Sequence, residues 1–142
     1  MNLLKDIAKY LHAEGIGVFD ETGVTGNIFM ALIPSTPDVC IGVYPTGGLT
    51  ADGRLNYDRP TVQIWVRGDL DPRTGMDLAL SVYNKMQGFH HDTFTAGGYW
   101  ILNCIGVQSF PQHVGRDEND RHEYSINFQL EILNPERENS DE

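Results

Sequence analysis

Residues 123–133, EYSINFQLEIL, alternate almost without fault. Tyr124, Ile126, Phe128, Leu130 and Ile132 fall on one side. Glu123, Ser125, Asn127, Gln129 and Glu131 fall on the other. Successive side chains of a strand point to opposite faces, so this pattern dictates a long strand with one apolar face and one wet face. The apolar face has to be covered, and two other stretches have the spacing to cover it. Residues 2–14 carry Leu3, Ile7 and Leu11 four apart, with Leu4 and Ala8 widening the stripe, Asn2 placed to cap and Gly15 to stop the helix. Residues 71–88 begin on Asp71 and Pro72, a cap followed by the residue best suited to a first helical turn, and end on Gly88. Their expected buried stripe is Met76, Ala79, Leu80, Tyr83 and Met86.

The remaining apolar runs are too short for helices. Residues 27–33, NIFMALI, read as a strand buried on both faces and stopped by Pro34. After a Pro-containing turn, VCIGVY at 39–44 reads as its antiparallel neighbour. Residues 45–59 hold several turn signals and read as a long loop or hairpin arm. Then Val62, Ile64 and Val66 alternate with Thr61, Gln63, Trp65 and Arg67, placing Trp65 on the wetter side of a half-buried strand. The stretch YWILNCIGV at 99–107 follows the second helix as another strand. The order is α-β-β-β-α-β-β: an α+β fold, with two helices on a mixed, mostly antiparallel sheet and long protruding loops. It forms one domain over 1–133, followed by an acidic tail at 134–142 expected to fray.

Between the last two strands lies a stretch crowded with ionisable groups: Arg116, Asp117, Glu118, Asp120, Arg121, His122 and Glu123. It reads as the tip of a hairpin covering 109–122. A metal loop is one reading of it, but the acids lack the spacing of a calcium loop and two arginines oppose a cation. His90 and His91 are a second place to seek a metal. Adjacent histidines diverge, however, and no ligand spacing joins them to His12, His113 or His122. Cys40 and Cys104 each sit in an apolar run, as buried reduced thiols do. RGD at 67–69 ends a strand, and the paired glycines lack a phosphate-loop lysine. No nucleophile, base or cofactor motif emerges, so neither an enzyme nor a cofactor is expected. A small metal-dependent enzyme or binding module built on the histidines and the acidic hairpin remains the rival of a different class.

Charge narrows the partners. Twenty acidic residues against ten Lys and Arg give a net charge of −10. Gripping nucleic-acid phosphates requires displacing counterions with cations, which this chain lacks as any basic run. No window approaches the about 18 apolar residues a membrane span needs, and the N-terminal helix has Lys5, Asp6 and Lys9 where a signal peptide would be apolar. Synthesis in the cytosol and no membrane contact are therefore expected. Protruding arms on a rigid scaffold with no catalytic constellation point to assembly with partners.

The ordered segments NIFMALIPSTPDVCIGVYPTGG, YDRPTVQIWVRG, YNKMQG and QSFPQHVGRDENDRHEYSINFQL together resemble the family of bacteriophage tail terminator proteins, often labelled minor capsid proteins. The residues matching the family pattern are Arg59, Pro60, Gly115, Arg116, Asp117, Arg121, Asn127 and Phe128. The resemblance implies a small α/β subunit of a closed ring, usually a homohexamer, that caps the tail tube and ends its polymerisation. It implies a virion protein of the neck, assembled in the host cytoplasm. Its partners would be itself, the major tail tube protein and a head-completion or neck protein, with DNA passing through the lumen. A head-completion or head–tail connector protein is the alternative within the same class. Arg59, Trp65, Arg116, Asp117, Glu118 and Arg121 are the expected interface residues. Their hairpin charges either bridge neighbours or merely solvate a turn. The arm at 46–56 either lines the lumen or clasps a neighbour.

Overall fold

The computed structural model describes residues 2–137. Helix α1 (Leu3–Ala13) is followed by strands β1 (Ile28–Met30), β2 (Cys40–Leu49) and β3 (Tyr57–Arg67), helix α2 (Pro72–Met86), and strands β4 (Asp92–Thr93), β5 (Trp100–Gly106), β6 (Gln112–Arg116) and β7 (His122–Leu133). The strands form one sheet in the order β1-β2-β3-β7-β5-β4, with β6 also paired to β7. The fold is α+β, as the sequence pattern predicts.

Both helices start and stop for local reasons. The Asn2 side chain accepts from the Lys5 N–H, and that of Asp71 from the Arg73 N–H. At the end of α1, Gly15 takes φ +76°, its N–H donates to the His12 carbonyl, and the Ile16 N–H reaches back to the Leu11 carbonyl. That pair of bonds is the glycine-terminated cap. The buried side of α2 is Gly75, Ala79, Val82 and Met86, with Met76 and Tyr83 at its margin. Val82 thus takes the central place expected of Leu80, because α2 faces the sheet along a line rotated by roughly 65°, under a fifth of a turn, from the stripe the sequence suggests.

The helices cover one face of the sheet. Register aligns Ile41, Val66 and Tyr124 in one row and Val43, Ile64 and Ile126 in the next, all fully or almost fully buried. Phe128 and Leu130 continue the same core towards Cys104 and Ile101 of β5. The split βαβ step is present: β3 and β5 both run antiparallel to β7, with α2 crossing between them.

Two expectations fail at the edges of the sheet. Residues 27–33 do not form a doubly buried antiparallel strand. Only Ile28–Met30 is a strand, it pairs parallel to β2, and Leu32 is 52% exposed. A parallel neighbour requires the chain to return along the sheet before β2 can start. It turns at Ala31 (φ +55°) and runs back over Gly42, where an added Cβ would lie 2.8 Å from the Leu32 carbonyl oxygen and 2.8 Å from the Ile33 Cδ1. The missing side chain at 42 makes that return possible. Apolar content alone does not distinguish this path from a buried strand.

The second is the connection at 109–122, which is not a bare hairpin tip. Residues Gln112–Arg116 form β6 on the same edge of β7 that β5 occupies further along. Where the chain bulges away between them, the Gln108 side chain takes over: its amide donates to the Ser125 carbonyl and its oxygen accepts from the Asn127 N–H. The turn shrinks to 117–121.

The 45–59 arm is largely strand. β2 continues through a bulge between Pro45 and Gly48 to Leu49, and only 50–56 lie between it and β3. The chain after β7 is tied to this arm: the Asn134 N–H donates to Asn56, and Arg137 bonds the Leu55 carbonyl and the Asp58 carboxylate. Residues 138–142 of the acidic tail lie outside the described residues.

Candidate functional site

The face of the sheet opposite the helices carries the polar half of each alternation. Thr61, Gln63 and Trp65 of β3 stand beside Gln129, Asn127 and Ser125 of β7. Ile105 of β5 lies next to Gln129. Side-chain bonds run along the row. Thr61 Oγ1 donates to the Thr46 carbonyl across the hairpin at 3.1 Å. The Tyr57 hydroxyl donates to Glu131 at 2.7 Å, and that bond pushes the phenol above its ordinary range. The Trp65 indole N–H is bonded to the Glu123 carboxylate. Trp65 is half-buried on the wetter face, as its place in the alternation predicts.

At one end of this face the charged turn is internally organised. The Asp117 carboxylate accepts from the backbone N–H groups of Asn119 (3.0 Å) and Arg121 (2.9 Å) and from Arg121 Nε (2.9 Å). The Arg121 side chain, only 8% exposed, also donates to the Ser35 carbonyl and to Asp38. Beside it the buried Arg67 bonds the Pro37 and Asp38 carbonyls. Two arginines, one at the end of β3 and one in the turn before β7, thus clamp the return segment at 35–38 against the end of the sheet. Burial pushes the Asp117 carboxyl up, but its backbone donors and the guanidinium overcome this and hold it below the usual carboxylate range.

Of the six expected interface residues, the structure therefore brings Asp117 and Arg121 together within one subunit. Arg116 and Glu118 flank them, both exposed; Arg116 is paired only loosely, 3.8 Å from Asp120. An exposed pair of that length contributes little to stability. Trp65 stands on the same face through Glu123. Arg59 is apart, at the far end of β3, roughly 30 Å along the strands. It donates to the Thr50 carbonyl and lines a cleft of about 410 Å³ with Leu3, Gly48, Tyr99, Ile132 and Asn134. Sequence reasoning missed Arg67. Its only signal is a cation at a strand end on the nominally wet face, and nothing local reveals the segment that buries it.

The other candidates take ordinary places. Cys40 and Cys104 are buried free thiols, and burial pushes Cys104 up to about 12. His90 and His91 are exposed, their rings edge to face. His113 and His122 share a 2.9 Å hydrogen bond across β6 and β7. Among the described residues, no three or more His, Cys, Asp or Glu side chains converge as metal ligands. No helix is long and apolar enough to cross a membrane among the described residues.

Among the described residues, the charged turn, the two arginines and the polar face are tied to one another within the subunit. None of the curated proteins compared with the chain matches it. Among solved structures it is similar to a chain of the virion of a native gene transfer agent particle, with TM-score 0.66 and 12% identity over 92% of this chain and 94% of that one. That likeness shows the fold. A family model described as bacteriophage tail terminator protein matches residues 10–134, from within α1 to the end of β7. The chain belongs to the bacteriophage tail terminator proteins, a family of virion structural proteins.

Proposed function

We propose that copies of this chain close into a ring, a homohexamer, that caps the phage tail tube, ends its polymerisation and offers the surface on which the head is joined. The family match along nearly the whole chain carries this reading. The sheet supports it, because among the described residues no helix or second sheet covers the face opposite the helices, which only the return segment at 31–38 crosses at one end. The ring contacts the major tail tube protein on one side and a head-completion or neck protein on the other, at the neck of the virion. With a charge of −10 per subunit, the ring repels the phosphate backbone, so DNA slides through the lumen without being gripped. Asp117 and Arg121 shape the turn that presents Arg116 and Glu118 to a neighbour, and Arg59 and Trp65 mark the two ends of the contacting face.

Light scattering across a range of protein concentrations, with negative-stain images of the same sample, tests the ring. Six copies around a central hole wide enough for duplex DNA are expected. Purified tail tubes are then added, and the ring is expected to bind tube ends and stop their elongation. A ring that ignores tube ends but binds a portal–neck assembly moves the assignment to a neck connector. A chain that neither self-associates nor binds tubes overturns the reading.

A further inference from the structure

The chain exposes large apolar side chains at both edges of the sheet. On the β5–β6 edge, Ile105 (47%), Val107 (66%), Phe110 (54%) and Val114 (49%) are exposed along one short run of chain. On the β1 edge, Met30 (36%) and Leu32 (52%) are exposed, and with Phe19 they line a largely apolar groove of about 160 Å³. Contiguous apolar surface of this kind on a strongly charged chain marks a contact.

The two surfaces lie at the same level of the sheet. Ile28 of β1 aligns with Ile41, Ile41 with Val66, Val66 with Tyr124, and Tyr124 with His113 of β6. Strand β1, bridged on its outer side by Phe19, and strand β6 therefore stand at opposite sides of the sheet, running in opposite directions. Their rims are also complementary in charge. Arg116 closes the β6 end, and its weak pair with Asp120 leaves it available. Asp20 is an ionised carboxylate held by Thr22 and Thr25, with no cation in that set. Phe19 is bridged to Ile28 along the outer side of β1, and Asp20 and Glu21 after it line the groove, so the β1 rim is acidic where the β6 rim carries Arg116.

We propose that subunits join head to tail through these edges: the strip of Ile105, Val107, Phe110 and Val114 seats in the Phe19–Met30–Leu32 groove of the next copy, with Arg116 of one beside Asp20 of the other. The occupant of each surface is a second copy of this chain, because each edge supplies the shape and charge that the other lacks. Two different surfaces meeting head to tail give a contact that repeats, and such a contact generates closed rings. This inference rests on the ring reading above and names the surfaces that make the ring.

The test uses two variants of the full chain. V107D/F110D spoils the strip and M30D/L32D spoils the groove. Each alone is expected to be monomeric at concentrations where the wild type is a ring. An equimolar mixture retains one intact strip and one intact groove, so it is expected to form a heterodimer and nothing larger. Near-UV circular dichroism confirms that each variant is folded. If either loses its signal, F110S and L32S, at positions more than half exposed, replace the pair. Variants that still form rings, or folded monomers whose mixture stays monomeric, overturn the inference while leaving the ring intact. A wild-type chain that stays monomeric at every concentration, alone and with tail tubes, overturns the ring reading and this inference together.

Discussion

Arg121 shows how a residue whose sequence context suggests outward contacts can be consumed inside its own subunit. Its guanidinium joins the hairpin turn through Asp117, and the segment between β1 and β2 through Ser35 and Asp38. Removing the guanidinium takes its donors from the Ser35 carbonyl and leaves the Asp117 carboxylate with only its two backbone donors, so Arg121→Met is expected to destabilise the fold by roughly 1–3 kcal/mol. A urea melt of the folded variant measures this. The pH dependence has a definite sign. The folded-state value of Asp117 lies below its ordinary one, so its contribution is fully present above an unfolded value of about 3.9 and disappears as pH falls through the lower folded value. The stability gap between wild type and Asp117→Asn is expected to be constant from pH 7 to about 5 and to close below about 4. A gap that widens on acidification would show that Asp117 is not the partner holding Arg121. In the sequence, Asp117 and Arg121 are separated by one helical turn's worth of residues in a charged run. Nothing there distinguishes a clamp from a solvated turn, because the decisive partners lie more than eighty residues away.

At the scale of elements, the docking of α2 depends on two glycines. An added Cβ on Gly68 at the end of β3 would lie 2.5 Å from the Gly75 nitrogen, and one on Gly75 would lie 2.6 Å from the Tyr124 ring. The Tyr124 hydroxyl in turn donates to the Pro72 carbonyl at the start of the helix, so the ring has little freedom to retreat. Gly75→Ala raises helix propensity by about 1 kcal/mol, yet the forced shift of a packed ring costs more, typically about 1–3 kcal/mol. The variant is therefore expected to be less stable than wild type by up to about 2 kcal/mol in a urea melt. A gain in stability would mean that Tyr124 moves aside at no cost. Both helices, the long strands and the buried face of β7 are legible in the sequence because each is a periodic pattern with local start and stop signals. β1 and β6 are not. β1 takes its direction from a return path that Gly42 admits, and β6 forms because Gln108 bridges a break in the β7 ladder. Those are contacts between distant residues, invisible to periodicity. The candidate site was legible only as a list of charged residues; which of them face inward was settled by the return segment at 35–38.

For the whole molecule, charge and apolar surface make opposing demands, and salt separates them. A ring of copies each carrying −10 repels itself, and that repulsion is strongest when the Debye length is long, about 30 Å at 0.01 M salt against about 8 Å at 0.15 M. If the contact is the apolar strip and groove with one pair of charges at the rim, screening removes more repulsion than attraction. Ring formation is then expected to tighten by several-fold as salt rises over that range. If instead Arg116, Asp117 and Arg121 bridged neighbours as the principal contact, screening would weaken the attraction at its source, and the ring would loosen with salt. The two arrangements thus predict opposite slopes from one titration, read as the concentration at which half the chains are assembled. The intramolecular partners of Asp117 and Arg121 favour the first slope, since charges already paired within the subunit have little left to offer a neighbour. Arg116→Ala sharpens the comparison: with an apolar contact it is expected to weaken assembly by no more than a few-fold at low salt and to have almost no effect at 0.15 M, the behaviour of an exposed pair at a rim.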